Sequence, residues 1–233
     1  MPAVDFKTSV EDLVGAVGDD TALNDFLSAS AKEVLAILPQ PVLLQYATTS
    51  DWSISNGFFG VENKRIIEVV RQGYNCLQIP LSKATDAADT NSLFLASNRD
   101  PVFYLKGNRI YILPLPTGTD SDTTITTINQ PSVSGTSTGI TSFPDNAEYA
   151  VVLGASAKAL QRMASDVRDE VNKTNGDIAQ FNTFVTTDEE FELGSVQSQL
   201  LQTQIQRYQG YMAQHKTIFE LYQAELQRLS QTQ

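Results

Sequence analysis

Residues 145–171 read DNAEYAVVLGASAKALQRMASDVRDEV, and apolar side chains recur in this stretch at alternating spacings of three and four residues. Such spacing places them along one side of an α-helix and is typical of a coiled-coil seam. The pattern persists across residues 172–176, where a glycine could end or kink the helix and where we expect a continuous or gently bent one. The expected seam consists of Ala150, Leu153, Ala157, Leu160, Ala164, Val167, Val171, Thr174, Ile178, Phe181 and Val185.

This helix is expected to start at Asp145, which can cap the first turn, with Glu148 completing a capping-box-like pair. A second periodic helix follows the acidic stretch 188–194, which we interpret as a linker, and Ser195 is its expected N-cap. At 1.5 Å per residue the helices would extend about 60 and about 50 Å, and we expect an antiparallel hairpin. The second seam consists of Leu201, Ile205, Tyr208, Met212, His215, Phe219, Tyr222, Leu226 and Leu229.

The N-terminal region, residues 1–39, has the pattern of two helices, a short one after Ser9 and a longer one capped by Asp20 or Thr21. The prolines at 39 and 41 end the longer helix. Its apolar stripe predicts packing against another element. The stripe consists of Leu23, Phe26, Leu27, Val34, Leu35 and Leu38.

Residues 40–143 change to a β-type composition, and their clearest element is a hairpin over residues 102–113. Gly107 and Asn108 suit a two-residue turn between its strands. Both faces of this hairpin are apolar, so we expect the chain's own helices to cover one face and a neighbouring subunit to cover the other. The expected cross-strand pairs are Phe103 with Ile112, Leu105 with Ile110, and Tyr104 with Tyr111.

Two weaker patterns complete the middle of the chain. Residues 65–71 and 74–80 predict a second hairpin that turns at Gln72 and Gly73. Residues 117–142 are dominated by Ser, Thr and Gly and, apart from a strand at 124–128, we interpret them as an exposed loop or an arm that becomes ordered on assembly. The predicted fold is α+β, with N-terminal helices (1–39), an antiparallel β-rich middle (40–143) and a long C-terminal helical hairpin (144–233).

The charge balance excludes several classes of partner. The chain carries 16 Lys and Arg against 27 Asp and Glu, a formal net charge of −11. Phosphate neutralisation needs clustered basic residues, and the densest basic group here is the pair Lys64-Arg65. We therefore expect neither sequence-specific nucleic-acid binding nor attraction to acidic membrane lipids.

Features of export and of common metal sites are also missing from the sequence. The N-terminus has no apolar run suited to a signal peptide, and no stretch of about 18 consecutive apolar residues occurs. Cys76 is the single cysteine and His215 the single histidine, so neither an internal disulfide nor a familiar zinc site can form within one chain. We expect a reducing cytoplasm as the place of assembly, and no metal or other cofactor.

For each residue that could act in catalysis or metal binding, a structural role fits the sequence better than a chemical one. His215 occupies a seam position, where a polar residue can set helix register. Cys76 lies in an apolar strand, and Trp52 is expected to be a core or interface anchor. The acidic stretches 120–122 and 188–192 lack the ordered ligand spacing of an EF-hand loop. Because phosphate-binding loops, nucleophile elbows and His-Glu-x-x-His helices are absent as well, we expect no enzyme.

The last helix is rich in glutamine, with nine between residues 197 and 227, where charged pairs often occur. Amide hydrogen bonds and apolar packing depend less on salt than ion pairs do, which suits a permanent assembly. The alternative is a polar face exposed to solvent.

Six segments of the chain carry a resemblance to a known group: 23–27 (LNDFL), 32–39 (KEVLAILP), 99–105 (RDPVFYL), 110–114 (IYILP), 143–153 (FPDNAEYAVVL) and 158–160 (KAL). They resemble segments of virion structural proteins from marine tailed phages, especially those of cyanobacterial hosts. Helices that flank a β-rich insertion, a mass of 25.5 kDa and long C-terminal helices are similar to head-to-tail adaptor (connector) proteins within that group.

The resemblance implies a protein of the virion neck, assembled in the bacterial host as a ring of about twelve copies. It implies the portal and the tail or neck proteins as partners, and passive passage of DNA through the ring. An acidic channel wall is compatible with such passage, since tight binding would hinder the DNA. No binding residue can be transferred from the group to this chain.

The predicted function is therefore assembly without catalysis, in which apolar surface buried between copies holds a homo-oligomer together. Two alternatives stay open. One is another virion component, such as a tail, fibre-attachment or capsid-stabilising protein, in which the same helices form a trimer. The other is an enzyme with an unfamiliar site. The expected oligomer or packing anchors are Phe103, Tyr104, Tyr111, Leu201, Ile205, Tyr208, Met212, Phe219, Tyr222 and Leu226.

Overall fold

A computed structural model describes residues 4–52, 57–116, 123–184 and 188–231, with the backbone alone for the helical residues between 178 and 197. These residues form an α+β fold, as the sequence predicts. The helices are α1 (Phe6–Val14), α2 (Asp20–Ile37), α3 (Gln40–Tyr46), α4 (Ala84–Ala88), α5 (Asp145–Phe184) and α6 (Asp188–Gln231). The strands are β1 (Thr48–Asp51), β2 (Phe59–Gly60), β3 (Lys64–Arg71), β4 (Tyr74–Asn75), β5 (Leu77–Gln78), β6 (Val102–Leu105), β7 (Arg109–Leu113) and β8 (Thr123–Asn129).

The chain divides into two compact units. The helical unit combines residues 1–37, 132–140 and 145–232, so the two ends of the chain fold together. The β unit contains residues 38–131 with the short segment 141–144.

The helical unit is built around the first half of α5. Every residue from 150 to 157 is buried, because α1, α2 and α6 pack around this part of the helix. Five of these eight residues are Ala, Gly or Ser, whose small size allows the neighbouring helices to approach closely. This half of α5 therefore lies at the centre of the core of the helical unit, and it also pairs with α6 in the helical hairpin.

The two long helices pack along each other in opposite directions, as predicted. Arg228 Nη2 of α6 donates to the carbonyl oxygen of Asn146 near the start of α5, at 3.1 Å. Tyr222, one and a half turns earlier in α6, lies beside Gly154 further along α5. The helix α5 also continues through Gly176 without interruption, which confirms the prediction of a continuous helix.

The predicted seam of α5 is buried from Ala150 to Val167, and Val171 and Thr174 are half-buried. The side chains of Ile178 and Phe181, and residue Val185 as a whole, lie outside the described residues.

The predicted starts of the two N-terminal helices are wrong by a few residues. The cap of α1 is Asp5, whose Oδ1 accepts the Thr8 N–H at 2.7 Å, so the helix begins before Ser9. The cap of α2 is Asp19, whose Oδ1 accepts the Ala22 N–H at 3.1 Å. Both regions offer several adjacent side chains that could cap, and the sequence does not distinguish among them.

The predicted linker before α6 is also wrong. The helix α6 begins at Asp188, so residues 188–194 are helical and Ser195 lies inside the helix. Acidic residues in a first turn interact favourably with the positive end of the helix dipole, which explains why an acidic stretch starts a helix here. The side chains of residues 188–192 lie outside the described residues, as do Asp120 and Asp122. These are the two acidic stretches that lack the ligand spacing of an EF-hand loop.

The β unit contains two four-stranded sheets. In the first sheet the order is β1-β8-β3-β4 and all neighbours are antiparallel. In the second sheet the order is β2-β7-β6-β5, and only β5 and β6 are parallel. Residues from both sheets share one hydrophobic core, which consists of Trp52, Val61, Val69, Phe103, Ile110, Ile112 and Ile125.

The hairpin of β6 and β7 has the predicted register. Phe103 is opposite Ile112, and Tyr104 is opposite Tyr111. Gly107, in the two-residue turn, has a φ of 61°, a conformation that glycine adopts without strain. Alternation of apolar residues and a short Gly-Asn turn were therefore sufficient to predict this element.

The second predicted hairpin is only partly correct. Strands β3 and β4 do turn at Gln72 and Gly73, with φ angles of 50° and 81°, but only two residue pairs form. After Cys76 the chain leaves the first sheet, and β5 pairs in parallel with β6 of the second sheet. The sequence shows a continuous apolar run there and contains no signal of the change of partner.

The strand predicted at 124–128 is confirmed as β8 (Thr123–Asn129), and most residues of the loop after it are exposed, as predicted. Strand β8 lies between β1 and β3, and Ile125 and Ile128 are 0% and 1% exposed. The segment after it is bound to the helical unit: Ser28 Oγ accepts the Val133 N–H at 2.9 Å, and Asn24 Oδ1 accepts the Gly135 N–H at 2.6 Å. Threonine suits strands, so a Ser/Thr-rich composition need not indicate a loop.

Candidate assembly surface

The helix α6 presents one heptad stripe to its own chain. Buried or half-buried side chains recur along it at alternating spacings of three and four residues, as in a coiled coil. This inner seam consists of Leu201, Gln204, Tyr208, Tyr211, His215, Ile218, Tyr222, Glu225 and Leu229, with Leu226 half-buried beside it.

Three of the nine residues of the predicted seam of α6 are therefore out of phase. The prediction used Ile205, Met212 and Phe219, whereas the structure turns the residue before each of them inward. Both choices alternate threes and fours, and apolar residues occur at neighbouring positions, as in Ile218-Phe219. The periodicity alone could not decide between the two phases, and contacts with α2 and α5 decide it.

The three displaced residues form a second stripe, which we call the outer stripe: Ile205, Met212 and Phe219. They are 38%, 42% and 41% exposed and recur every seven residues, so they lie in a row along one side of α6. A row of large apolar side chains left in water on a 44-residue helix is a candidate contact surface for another helix. The sequence does contain a sign of this second stripe, because the apolar residues of α6 cover a wider side of the helix than a single seam needs.

A polar cluster ties the inner seam to α2. Lys158 Nζ of α5 donates to Glu33 Oε2 at 2.8 Å and to Ser30 Oγ at 3.0 Å. The hydroxyl of Tyr222 donates to the same Glu33 oxygen at 3.0 Å. Burial, together with the negative charge of Glu33, raises the pKa of Tyr222 well above its ordinary range. Glu33 thus accepts from two helices at once, and this cluster, which the sequence did not predict, fixes α2, α5 and α6 together.

A pocket of about 210 Å³ lies beside this cluster, and its lining includes His215 and Phe219. The imidazole of His215 is stacked on the ring of Phe219, with centroids 5.8 Å apart. No nucleophile in hydrogen-bond contact with His215 occurs among the described residues, and within the same residues no group of three or more His, Cys, Asp or Glu is placed to hold a metal ion. The pocket is therefore best described as a gap in the packing, and the charged residues in its lining, Lys158 and Glu33, are already paired with each other.

The predicted anchors of the β-hairpin divide between core and surface. Phe103 is 6% exposed and packs inside the β unit. Tyr104 and Tyr111 lie on the opposite face, half-buried and stacked with ring centroids 5.2 Å apart. The ring of Phe58 lies 6.0 Å from Tyr111 and under the guanidinium of Arg109. The aromatic face is thus covered in part by its own chain.

The structure also shows an apolar loop tip that sequence reasoning missed. After α4, the consecutive residues Leu93, Phe94 and Leu95 are 100%, 68% and 44% exposed. The loop is held at its base by the Ala96 N–H, which donates to the Ala87 carbonyl at 2.9 Å. The run Leu-Phe-Leu, in a stretch with several polar residues, was its only sequence signal.

The remaining sequence candidates behave as structural residues. Burial raises the pKa of the Cys76 thiol to about 11, despite the opposing charge of Arg71. Such a thiol is a poor nucleophile at neutral pH. Trp52 is 3% exposed and belongs to the core of the β unit, as predicted. In the described part of the chain, no helix combines the length and apolar character needed to cross a membrane.

No protein-family model matches this chain, and no curated protein matches it.

Proposed function

We propose that this chain is a non-enzymatic structural protein of a tailed-phage virion, of the head-to-tail adaptor type, which assembles into a ring through its long C-terminal helices. The ring is assembled in the host cytoplasm and remains in the virion between the portal and the tail. Its role is geometrical, since it joins two partners of different symmetry or diameter without catalysing a reaction.

The observation that carries the proposal is the outer stripe of α6. Ile205, Met212 and Phe219 are about 40% exposed although the adjoining inner seam of the same helix is packed on α5. Burial of apolar surface contributes roughly 25 cal/mol per Å², so a row repeated along several heptads can stabilise a contact between copies. The row runs lengthwise, which suits helices packed side by side around an axis.

The charge of the chain supports the same proposal. A net charge of −11 opposes tight binding of DNA through its phosphates, as passage through a neck requires. Glutamines flank most of the outer stripe, and the ion pair beside it, Lys216–Glu220 at 4.0 Å, is exposed, so we expect the contact to depend mainly on apolar packing and amide hydrogen bonds.

The test is the molar mass of the purified chain, measured by light scattering, for the natural sequence and for the double variant Met212→Glu, Phe219→Glu. The natural chain is expected to form a closed oligomer whose mass is a multiple of 25.5 kDa, with about twelve copies for a ring. The variant is expected to be a folded monomer, because two charges would be buried in the contact. Tyr222 is unsuitable for this test, since it is 6% exposed inside the chain's own core.

The matched control is Thr203→Glu, Thr217→Glu, which adds the same charge to exposed positions on the side of α6 opposite the outer stripe. It should assemble like the natural chain. A mass of 25.5 kDa at every concentration, with and without a purified portal, would contradict the proposal. A trimer instead of a ring would support the other virion roles, and equal assembly of both variants would show that the outer stripe is not the contact.

A further inference from the structure

The β unit contains a buried cation, Arg71, two of whose three nitrogen atoms have no acceptor among the described residues. Arg71, the last residue of β3, is 5% exposed, and its Nε and Nη1 atoms have no hydrogen-bond partner among the described residues. The guanidinium keeps its charge at every physiological pH. Buried charges in proteins are paired as a rule, since an unpaired one loses its hydration without compensation. Arg71 therefore requires an explanation.

A second unpaired donor lies nearby. The indole of Trp52, which directly follows β1, is 3% exposed, and its Nε1–H also has no acceptor among the described residues. Buried tryptophan usually donates this hydrogen to an oxygen. Most other buried side-chain polar atoms of the β unit are partnered, so two unpaired donor groups in one small region are a local feature.

The strand register places the two side chains on one face of the first sheet. Arg71 of β3 is opposite Thr123 of β8, and on the other side of β8 the Trp52 N–H donates to the Thr123 carbonyl at 2.8 Å. Residues directly opposite in antiparallel strands point to the same face, so Trp52 and Arg71 flank Thr123. With strands about 4.8 Å apart, their Cα atoms are separated by roughly 10 Å, a gap that two long side chains can bridge through one small ligand.

From this arrangement we infer that Trp52 and Arg71 form a binding site for an oxyanion, a carboxylate or a phosphate. All the unpaired groups are N–H donors, so the ligand must supply oxygen acceptors, and the guanidinium requires that it be anionic. An ion that reaches these donors displaces no existing hydrogen bond of theirs. The positive charge of Arg71 also acts on Cys76, which opposes the effect of burial on that thiol. The inference concerns the β unit and is independent of the outer stripe of α6.

The test uses Trp52 as its own reporter, because it is the single tryptophan of the chain. The intrinsic emission of the full chain is followed during titration with sodium phosphate, sodium acetate and sodium chloride at matched ionic strength. We expect a saturable change with phosphate or acetate and none with chloride. Saturation by phosphate alone would identify a phosphate site, and saturation by acetate a site for carboxylates such as those of an acidic polypeptide.

Two variants assign the response to Arg71. Arg71→Met removes the charge and is expected to abolish the saturable change, and in chloride it should melt at the same or a higher temperature, because an unpaired buried charge has been removed. Arg99→Met removes the same charge from an exposed position of the β unit and should respond like the natural chain. The site is refuted if the natural chain shows no saturable change with either oxyanion, or if Arg71→Met retains it.

Discussion

Gly154 of α5 lies where the helical unit has no room for a side chain. A Cβ atom at this position would lie 2.9 Å from Ser30 Oγ and 3.0 Å from Tyr222 Cε2. Those neighbours belong to α2 and α6 and are held by the hydrogen bonds around Glu33. The absence of a side chain at this one residue thus permits three helices to meet.

Gly154→Ala is expected to lower the free energy of unfolding by about 1–3 kcal/mol, because the packed neighbours must move. The matched control is Gly176→Ala in the same helix, where nothing lies within 4 Å of the added Cβ. That variant should gain about 0.5–1 kcal/mol from the better helix propensity of alanine. Urea unfolding measures both, and equal effects at the two positions would contradict the close approach at Gly154.

Glu148 is a residue whose charge opposes folding. Burial raises the pKa of its carboxyl above the ordinary value of 4.5, and this outweighs the hydrogen bond that the carboxylate accepts from the Ile140 N–H at 2.7 Å. The predicted capping-box-like role of Glu148 is replaced by this bond. Because the folded state favours the protonated form, the contribution to stability is complete below about pH 4.5 and is lost as the pH rises through the raised value.

Glu148→Gln should therefore be more stable than the natural chain at pH 7, since the amide oxygen still accepts from Ile140 and carries no charge. The difference should shrink as the pH falls toward 4.5. Thermal melting between pH 4 and 8 measures this, with the exposed Glu62→Gln as the control. A less stable variant at pH 7 would mean that the hydrogen bond to the charged carboxylate outweighs its burial.

At the scale of elements, β8 is the strand on which the first sheet depends. It pairs with β1 on one side and β3 on the other, and Thr49 Oγ1 and Thr126 Oγ1 are hydrogen-bonded across the first pair at 3.0 Å. Its Ile and Thr residues are buried on both faces over most of its length. The strand predicted at 124–128 is thus an inner strand of its sheet, although the segment around it is rich in Ser, Thr and Gly.

Ile125→Ala is expected to destabilise the chain by about 2–5 kcal/mol, because the side chain is 0% exposed in the core shared by the two sheets. Thr124→Ala, at the half-buried neighbouring position on the other face, should cost clearly less. Chemical unfolding compares the two. If both variants were as stable as the natural chain, the inner, buried position of β8 would be contradicted.

At the scale of the whole molecule, the acidic surface and the apolar outer stripe have opposite effects on association. Copies of a chain with a net charge of −11 repel one another, and this repulsion falls as salt screens it. Apolar contacts are not weakened by sodium chloride in the same way.

The proposed oligomer should therefore keep its mass, or gain subunits from a residual monomer, when sodium chloride is raised from about 0.1 to about 1 M. Light scattering at several salt concentrations measures this. Dissociation at high salt would contradict a contact through Ile205, Met212 and Phe219 and would indicate ion pairs between copies.

Local rules were sufficient for much of the fold. The hairpin of β6 and β7, the continuous α5 and its seam are each determined by residues a few positions apart, through turn chemistry and helical periodicity. The antiparallel pairing of α5 and α6 follows from two long apolar stripes joined by a short connection. The hairpin, the continuous helix and its seam could be predicted because the interactions that specify them are close in sequence, and the pairing of α5 and α6 could be predicted because both stripes are long.

The tertiary structure alone decided the features that depend on distant residues. The phase of α6 was chosen by contacts with Glu33 and Gly154, far away in the chain, and that choice left the outer stripe exposed. Partners on both sides made β8 an inner strand, and its pairing placed Arg71 and Trp52 on one face of the first sheet. Periodicity predicts which side chains share a face. Whether that face is buried depends on what packs against it, and the packing partners are known only from the folded chain.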